Sequence, residues 1–280
     1  MVTKITTAGL RKFAYCPRWY KIQYKCGFNP SSPLKSKYPI GDALRGCLVS
    51  GSDADFRSRI GGLTSGEVIV EEKATFAEMI ARGELLLKSA LSWKDNIGEI
   101  LWHEQLSKYC LNDIEILGYP DILAKKNNII TLYSIRVSYT SYTDKDRDAD
   151  IIKMVIFKSG LEKILNVKIN RLCAVSMIIR NRKNRISPNT KNVITEIQET
   201  PIVLERNLEN TAIQSLSDMV AIINAGLFPT TGMQNGTCSW CPFGKQLQGQ
   251  KFCDFPDEIL KEFSETSLQR CNIDKWRDEF

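Results

Sequence analysis

At 280 residues and 43% hydrophobic, the chain can bury a substantial core, as one large domain or two modest ones. No apolar run approaches the length of a membrane span, and Met1 to Leu10 lack the apolar stretch of a signal peptide, so a cytoplasmic, reducing setting without disulfides is expected. The formal charge of +6 conceals a concentration at one end: Met1 to Ile60 hold eleven Lys or Arg against three Asp and no Glu, which suits a phosphate backbone and equally a solvated helix face.

Thr6 or Thr7 is placed to cap a helix reaching about Tyr24, with Leu10, Phe13, Tyr20 and Ile22 on its apolar side and Pro17 interrupting it beside Cys16. A Pro- and Ser-rich connector from Asn29 to Pro39 leads to a second helix, Asp42 to Val49, and Thr75 to Trp93 read as a third. The apolar period then changes from 3.6 to 2. Strands are predicted at Glu99 to Lys108, Ile114 to Leu123, Ile129 to Val137, Arg171 to Ile179 and Asn192 to Glu199, with a helix from about Asp148 to Leu165 between the third and fourth. Arg180, Arg182, Lys183 and Arg185 fall in a basic hairpin tip, and a last helix covers roughly Asn207 to Ala225. The expected organisation is a helical region 1–95, an α/β core 96–205 and a tail 206–280, forming one unit.

Nine cysteines are present, and three crowd into the tail as Cys238-Ser-Trp-Cys241 and Cys253. Two thiolates at C-x-x-C spacing can grip one metal, a third supplies another corner, and Cys16 in Tyr-Cys-Pro-Arg is the upstream choice for the fourth. The stretch from Phe228 to Gly244 is rich in Gly, Pro, Thr and Asn and lacks the periodicity of a packed element, so a metal or iron–sulfur site is favoured there over a disulfide or a passive role. Cys26, Cys47, Cys110, Cys173 and Cys271 are expected to be small buried hydrophobes.

The helix carrying Cys16-Pro-Arg18, the run Gly118-Tyr-Pro-Asp121-Ile, and the ending Gly226-Leu-Phe-Pro229 followed by Cys238, Cys241 and Cys253 together resemble the RecB-like branch of the PD-(D/E)XK nucleases. The resemblance is to its iron–sulfur members, which include the fourth CRISPR-associated protein and the nuclease domain of AddB. It implies an α/β, restriction-endonuclease-like core, a mixed central sheet flanked by helices, with a helical N-terminal region and a Cys-rich metal-cluster segment at the C-terminus. It also implies a [4Fe-4S] cluster on Cys16, Cys238, Cys241 and Cys253. Zinc is the alternative, because four thiolates suit tetrahedral Zn as well and the gap before Cys253 is long for the family.

Nucleases of this class hold Mg or Mn with carboxylates on adjacent strands and place a lysine near the attacking water. By resemblance Asp121 is the first-strand aspartate and Glu104 the glutamate of the preceding strand, but Ser134 stands where the next carboxylate belongs and Arg136 where the lysine does. Lys153 and Phe157 replace the family's Gln and Tyr, and Arg45 its early-helix histidine; His103, the one histidine of the chain, lies on another element. A hydroxyl is a poor Mg ligand, and a guanidinium does not orient water as an ammonium can.

These losses predict a catalytically degenerate nuclease fold that binds DNA or assembles with protein partners in recombination, replication, repair or CRISPR-type DNA processing. Arg11, Arg18, Arg45, Arg136, Lys153, Arg180, Arg182, Lys183 and Arg185 would line the DNA path, with Trp19 or Tyr20 for stacking on bases. The alternatives are an active Mg- or Mn-dependent exonuclease or endonuclease, with Asp113, Glu115, Asp144 or Asp148 substituting, and a metal-stabilised scaffold that does not touch DNA.

Overall fold

The computed structural model describes residues 3–25, 39–50, 53–64, 76–103, 105–111, 113–138, 144–181, 193–204, 206–229, 246–247 and 250–251. The chain forms two compact units, one drawn from Met1–Leu34, Cys110–Leu117 and Ile213–Phe280, the other from Lys35–Tyr109 and Gly118–Ala212.

The first unit begins with strand β1 (Thr3–Thr6) and helix α1 (Thr7–Tyr15). Thr6 is extended and its Oγ1 accepts the Gly9 N–H at 3.0 Å, satisfying one of the donors that a helix start leaves open. The single helix expected to reach Tyr24 is instead three pieces, and proline is the cause. Pro17 disfavours helical geometry in the residue before it, so Cys16 is extended (φ −165°, ψ 115°). Pro17 then sits at the first position of a new helix, where its missing N–H costs nothing. That helix, α2 (Pro17–Tyr20), runs into one wider π turn, Lys21–Lys25. Strand β4 (Ile114–Gly118) lies parallel to β1, Thr3 opposite Ile114 through Thr6 opposite Leu117.

Helix α7 (Arg206–Asn224) ends in a Schellman turn: Leu227 N–H reaches the Ile222 carbonyl at 3.1 Å and Gly226 N–H the Ile223 carbonyl at 3.2 Å. Gly226 adopts φ +72°, which only glycine accepts without strain. The turn delivers Phe228 onto the ring of Tyr20, stacked at 6.2 Å, with the Lys21 ammonium 5.3 Å from the Phe228 ring centre. Tyr20 also meets Phe13 edge-on and stacks on Tyr24.

The second unit is a mixed five-stranded sheet between helical layers. Its order is β2 (Glu99–His103), β5 (Ile122–Lys126), β6 (Ile129–Ser138), β7 (Arg171–Asn181) and β8 (Val193–Ile202). All neighbours are antiparallel except β6 and β7, which are parallel and joined by helix α6 (Asp144–Leu165). A parallel pair needs a long crossover, and the helix predicted from Asp148 supplies it.

One sheet face packs against α3 (Pro39–Ser50), α4 (Asp53–Thr64) and α5 (Phe76–Ile97): Leu44, Leu48, Phe56, Ile60, Leu86 and Leu87 meet Tyr133, Ile135, Cys173, Val175 and Met177. These strand residues are odd-numbered, and side chains alternate along a strand, so the even-numbered residues of β6 and β7 point to the α6 side. Helix α4 has no counterpart in the sequence reading. Its Gly61 and Gly62 oppose helix formation, and the burial of Phe56 and Ile60, one turn apart and both fully enclosed, overrides them.

Two predicted strands are each divided. Glu99 to Lys108 becomes β2 and β3 (Ser107–Leu111), and Ile114 to Leu123 becomes β4 and β5. Between His103 and Ser107 the chain leaves the five-stranded sheet for a smaller one of order β1-β4-β3, and across Tyr119–Asp121 it returns. Pro120 lacks the N–H that a continuous ladder would need. The segments Asn29 to 38 and 65–75, and the basic tip beyond Asn181, lie outside the described residues.

Candidate functional site

The densest gathering of the expected residues is in the second unit, where β5 begins. Ile122 pairs with Tyr133, so Asp121, one residue earlier, comes opposite Ser134. The Asp121 carboxylate is buried, 9% exposed, and its Oδ2 accepts the Ile135 N–H at 2.9 Å. Lys153 descends from α6 and places its Nζ 3.5 Å from Asp121 Oδ2 and 3.3 Å from Ser134 Oγ. Beneath the ammonium lies the Phe157 ring, one helical turn on, at 5.6 Å. Asp121, Ser134 and Lys153, separated by up to 32 positions, are therefore one constellation.

Beside it, Arg136 Nε donates to Ser176 Oγ at 2.9 Å. Arg136 and Ser176 are register partners on β6 and β7, and both belong to the even-numbered face that Ser134 shares. Ser176 is fully buried and was not foreseen from the sequence; its only signal there is a lone hydroxyl within the apolar run Leu172 to Ile179. Asp150 is likewise buried, one turn before Lys153 on the same side of α6, and was also missed.

His103 reaches the same region from β2. Its Nε2 donates to the Arg45 carbonyl at 2.9 Å, since a carbonyl only accepts. The imidazole thus stands at the backbone of Arg45, 58 residues away in sequence, and no sequence signal announces this. Burial holds the ring below the ordinary histidine value, and the Arg59 and Lys94 charges push the same way; the bond to Arg45 and the Asp121 charge oppose them. The Arg59 guanidinium lies over Gly46, the neighbour of Arg45, and pairs with Asp55 at 3.1 Å.

Among the described residues, no group of three or more His, Cys, Asp or Glu side chains gathers to hold a metal ion. Glu104 lies outside the described residues, as do the side chains of Asp144 and Asp148. Of the substitute carboxylates, Glu115 is paired with Lys4 at 3.5 Å, and Asp113 is exposed in a turn at φ 60°.

In the first unit, Cys16 is buried at the break between α1 and α2, with its N–H on the Lys12 carbonyl. Cys238, Cys241 and Cys253 lie outside the described residues. Phe228 rests on Tyr20, one turn beyond Cys16. Four thiolates would suit an iron–sulfur cluster or zinc.

Cys47 and Cys173 are core residues, as expected, and burial, reinforced by Glu199, pushes the Cys173 thiol up to about 12. Cys110, expected to be buried, is exposed, because it occupies an outward position of β3, whose burial alternates strictly. Cys26 and Cys271 lie outside the described residues.

Two of the other basic residues proposed for a DNA path, Arg11 and Arg18, belong to the first unit. Arg11 is exposed on α1, donating to Tyr15 Oη at 3.2 Å, and Arg18 is half-buried on α2. Arg180 is in β7 with its side chain outside the described set, and Arg182, Lys183 and Arg185 fall outside it entirely. Trp19 and Tyr20 are not open for stacking: both are buried, Trp19 with the Lys12 ammonium 4.1 Å from its ring centre.

No family model and no curated protein matches the chain. Among solved structures it is similar to one described as "Crystal structure of SSO0001", at TM-score 0.39 and 14% identity over 87% of this chain and 85% of that one. A likeness of that degree assigns neither fold nor chemistry. No helix among the described residues is long and apolar enough to cross a membrane.

Proposed function

We propose that the chain is a RecB-like PD-(D/E)XK protein whose cutting site has been retired and which binds DNA within a recombination, replication, repair or CRISPR-type complex. One observation supports this above the others: the carboxylate that should hold a divalent ion is faced by the Lys153 ammonium. Ser134, not a second carboxylate, stands opposite it. A cutting site of this class needs that carboxylate free for a hard cation, whose charge activates water and stabilises the phosphorane-like transition state. The three-strand, helix, strand sequence with one parallel step agrees with such a core. Four cysteines holding a [4Fe-4S] cluster or zinc would act as a clasp between the first helices and the tail, outside the chemistry.

The test is incubation of the purified protein with labelled single-stranded and duplex DNA in Mg and in Mn, at low salt, beside Asp121→Ala. Binding without cleavage is expected. Cleavage that disappears in Asp121→Ala would establish the active-nuclease alternative. Absence of any DNA binding would remove the DNA role and leave one of protein assembly.

A further inference from the structure

Two cations, Lys153 and Arg136, and two hydroxyls, Ser134 and Ser176, share the site with the Asp121 carboxylate, and buried Asp150 lies one turn before Lys153 on the same side of α6. We propose, resting on the retired-nuclease reading above, that this pocket is a metal-independent receptor for one phosphodiester of a nucleic acid, with the Lys153 ammonium in the place of the divalent ion.

An ammonium has three donors. Those of Lys153 reach Asp121 Oδ2 at 3.5 Å and Ser134 Oγ at 3.3 Å. Both contacts are long beside the roughly 2.7–2.9 Å of a closed charge-assisted bond, and the ammonium has a third donor to offer a further acceptor. The Lys153 side chain remains 23% exposed, enough for an anion to meet it from solvent. Asp121 holds the cation in position, while its Oδ2 is itself fixed by the Ile135 N–H. Arg136, anchored through Nε on Ser176, adds a second positive group on the same face of the sheet.

The ammonium selects the ligand class. A divalent cation arriving at Asp121 would face it across about the same 3.5 Å, and among the described residues no group of three or more metal-binding side chains gathers to offset the repulsion. A phosphodiester brings one negative charge and acceptor oxygens only, and so meets the partly exposed ammonium without that repulsion. A fixed lysine also removes any need for a metal to bridge protein and phosphate.

The experiment is fluorescence anisotropy of a labelled oligothymidylate, titrated with the full-length protein in EDTA and in Mg, across a salt series. Equal affinity in both buffers is expected for the native protein. Lys153→Met should weaken binding on the order of tenfold and reduce the salt slope by about one, while Lys153→Arg retains the slope. Asp121→Asn should tighten binding, because it removes the negative charge facing Lys153; a purely structural role would predict weakening. Inorganic phosphate should compete better than chloride at equal ionic strength. Binding that requires Mg, or a Lys153→Met protein that melts normally and binds as the native one does, would overturn the proposal while leaving the DNA role intact. If Lys153→Met does not fold, weakened binding by Asp121→Asn would overturn it instead. A native protein that binds no oligonucleotide in either buffer would overturn both.

Discussion

Replacing Asp121 by Asn and Lys153 by Met, singly and together, measures how much the pair contributes to the fold. Two opposite charges 3.5 Å apart attract by about 5 kcal/mol at an effective dielectric constant of about 20, before desolvation is subtracted. With side chains 11% and 23% exposed, the pair lies between a surface bridge, where the net is about 0–1 kcal/mol, and a fully buried one, whose breakage costs about 3–5 kcal/mol. The separation is long for a hydrogen-bonded pair, and the Ile135 N–H already satisfies part of the carboxylate, so the expected coupling is about 1–2 kcal/mol. Urea denaturation of the four proteins gives it, provided the m-values agree. A coupling within about 0.3 kcal/mol of zero would mean that Lys153 and Asp121 do not sense each other, and the description of the pocket as a neutralised carboxylate would be wrong.

Other expectations concern the surroundings of the pocket. At Gly160 on α6 an added Cβ would lie 2.4 Å from two ring atoms of Tyr109, which is itself buried. Gly160→Ala should therefore destabilise by about 1–2 kcal/mol in denaturant melts, the overpacking cost exceeding the roughly 1 kcal/mol that alanine contributes to a helix. Tyr109 Oη is buried without a hydrogen-bond partner among the described residues, so Tyr109→Phe should be neutral or stabilising by up to about 1 kcal/mol in the same assay. The His103 value is depressed in the folded protein, so its contribution to stability is present above about pH 6.5 and is lost as pH falls through the folded value. His103→Gln should flatten the melting temperature across that acidic range, and NMR of this single histidine would give its value without assignment. Anaerobic purification should yield a brown protein if the cysteines hold iron and sulfide and a colourless, zinc-containing one otherwise; in either case Cys16→Ser should lower the metal content.

Element type was legible wherever periodicity was long. The crossover helix and the strands on either side of it follow from apolar spacing, and the last helix, expected over roughly Asn207 to Ala225, covers Arg206–Asn224. What the spacing does not encode is which sheet a strand joins. Glu99 to Lys108 and Ile114 to Leu123 each read as one strand, yet each spans two sheets, and only Pro120 marks the return. Of the site, Asp121, Ser134 and Lys153 could be named one by one, but their meeting depends on long-range pairing across β5 and β6 and on how α6 lies over the sheet. Ser176 and the arrival of His103 at Arg45 had no local signature, since each is defined by a partner 40 or 58 positions away.

The interleaving of the two units sets an order of assembly. Every residue of the pocket lies between Asp121 and Ser176, and the unit that contains it is complete at Ala212. The other unit needs Met1–Leu34, Cys110–Leu117 and Ile213–Phe280 together, so a growing chain cannot finish it until its third stretch has been synthesised. Closing so large a loop is slow relative to local pairing, and domains fold as they emerge. A nascent or prematurely terminated chain would accordingly present a formed pocket before the first unit is complete, and a failure to finish that unit would not erase the sheet.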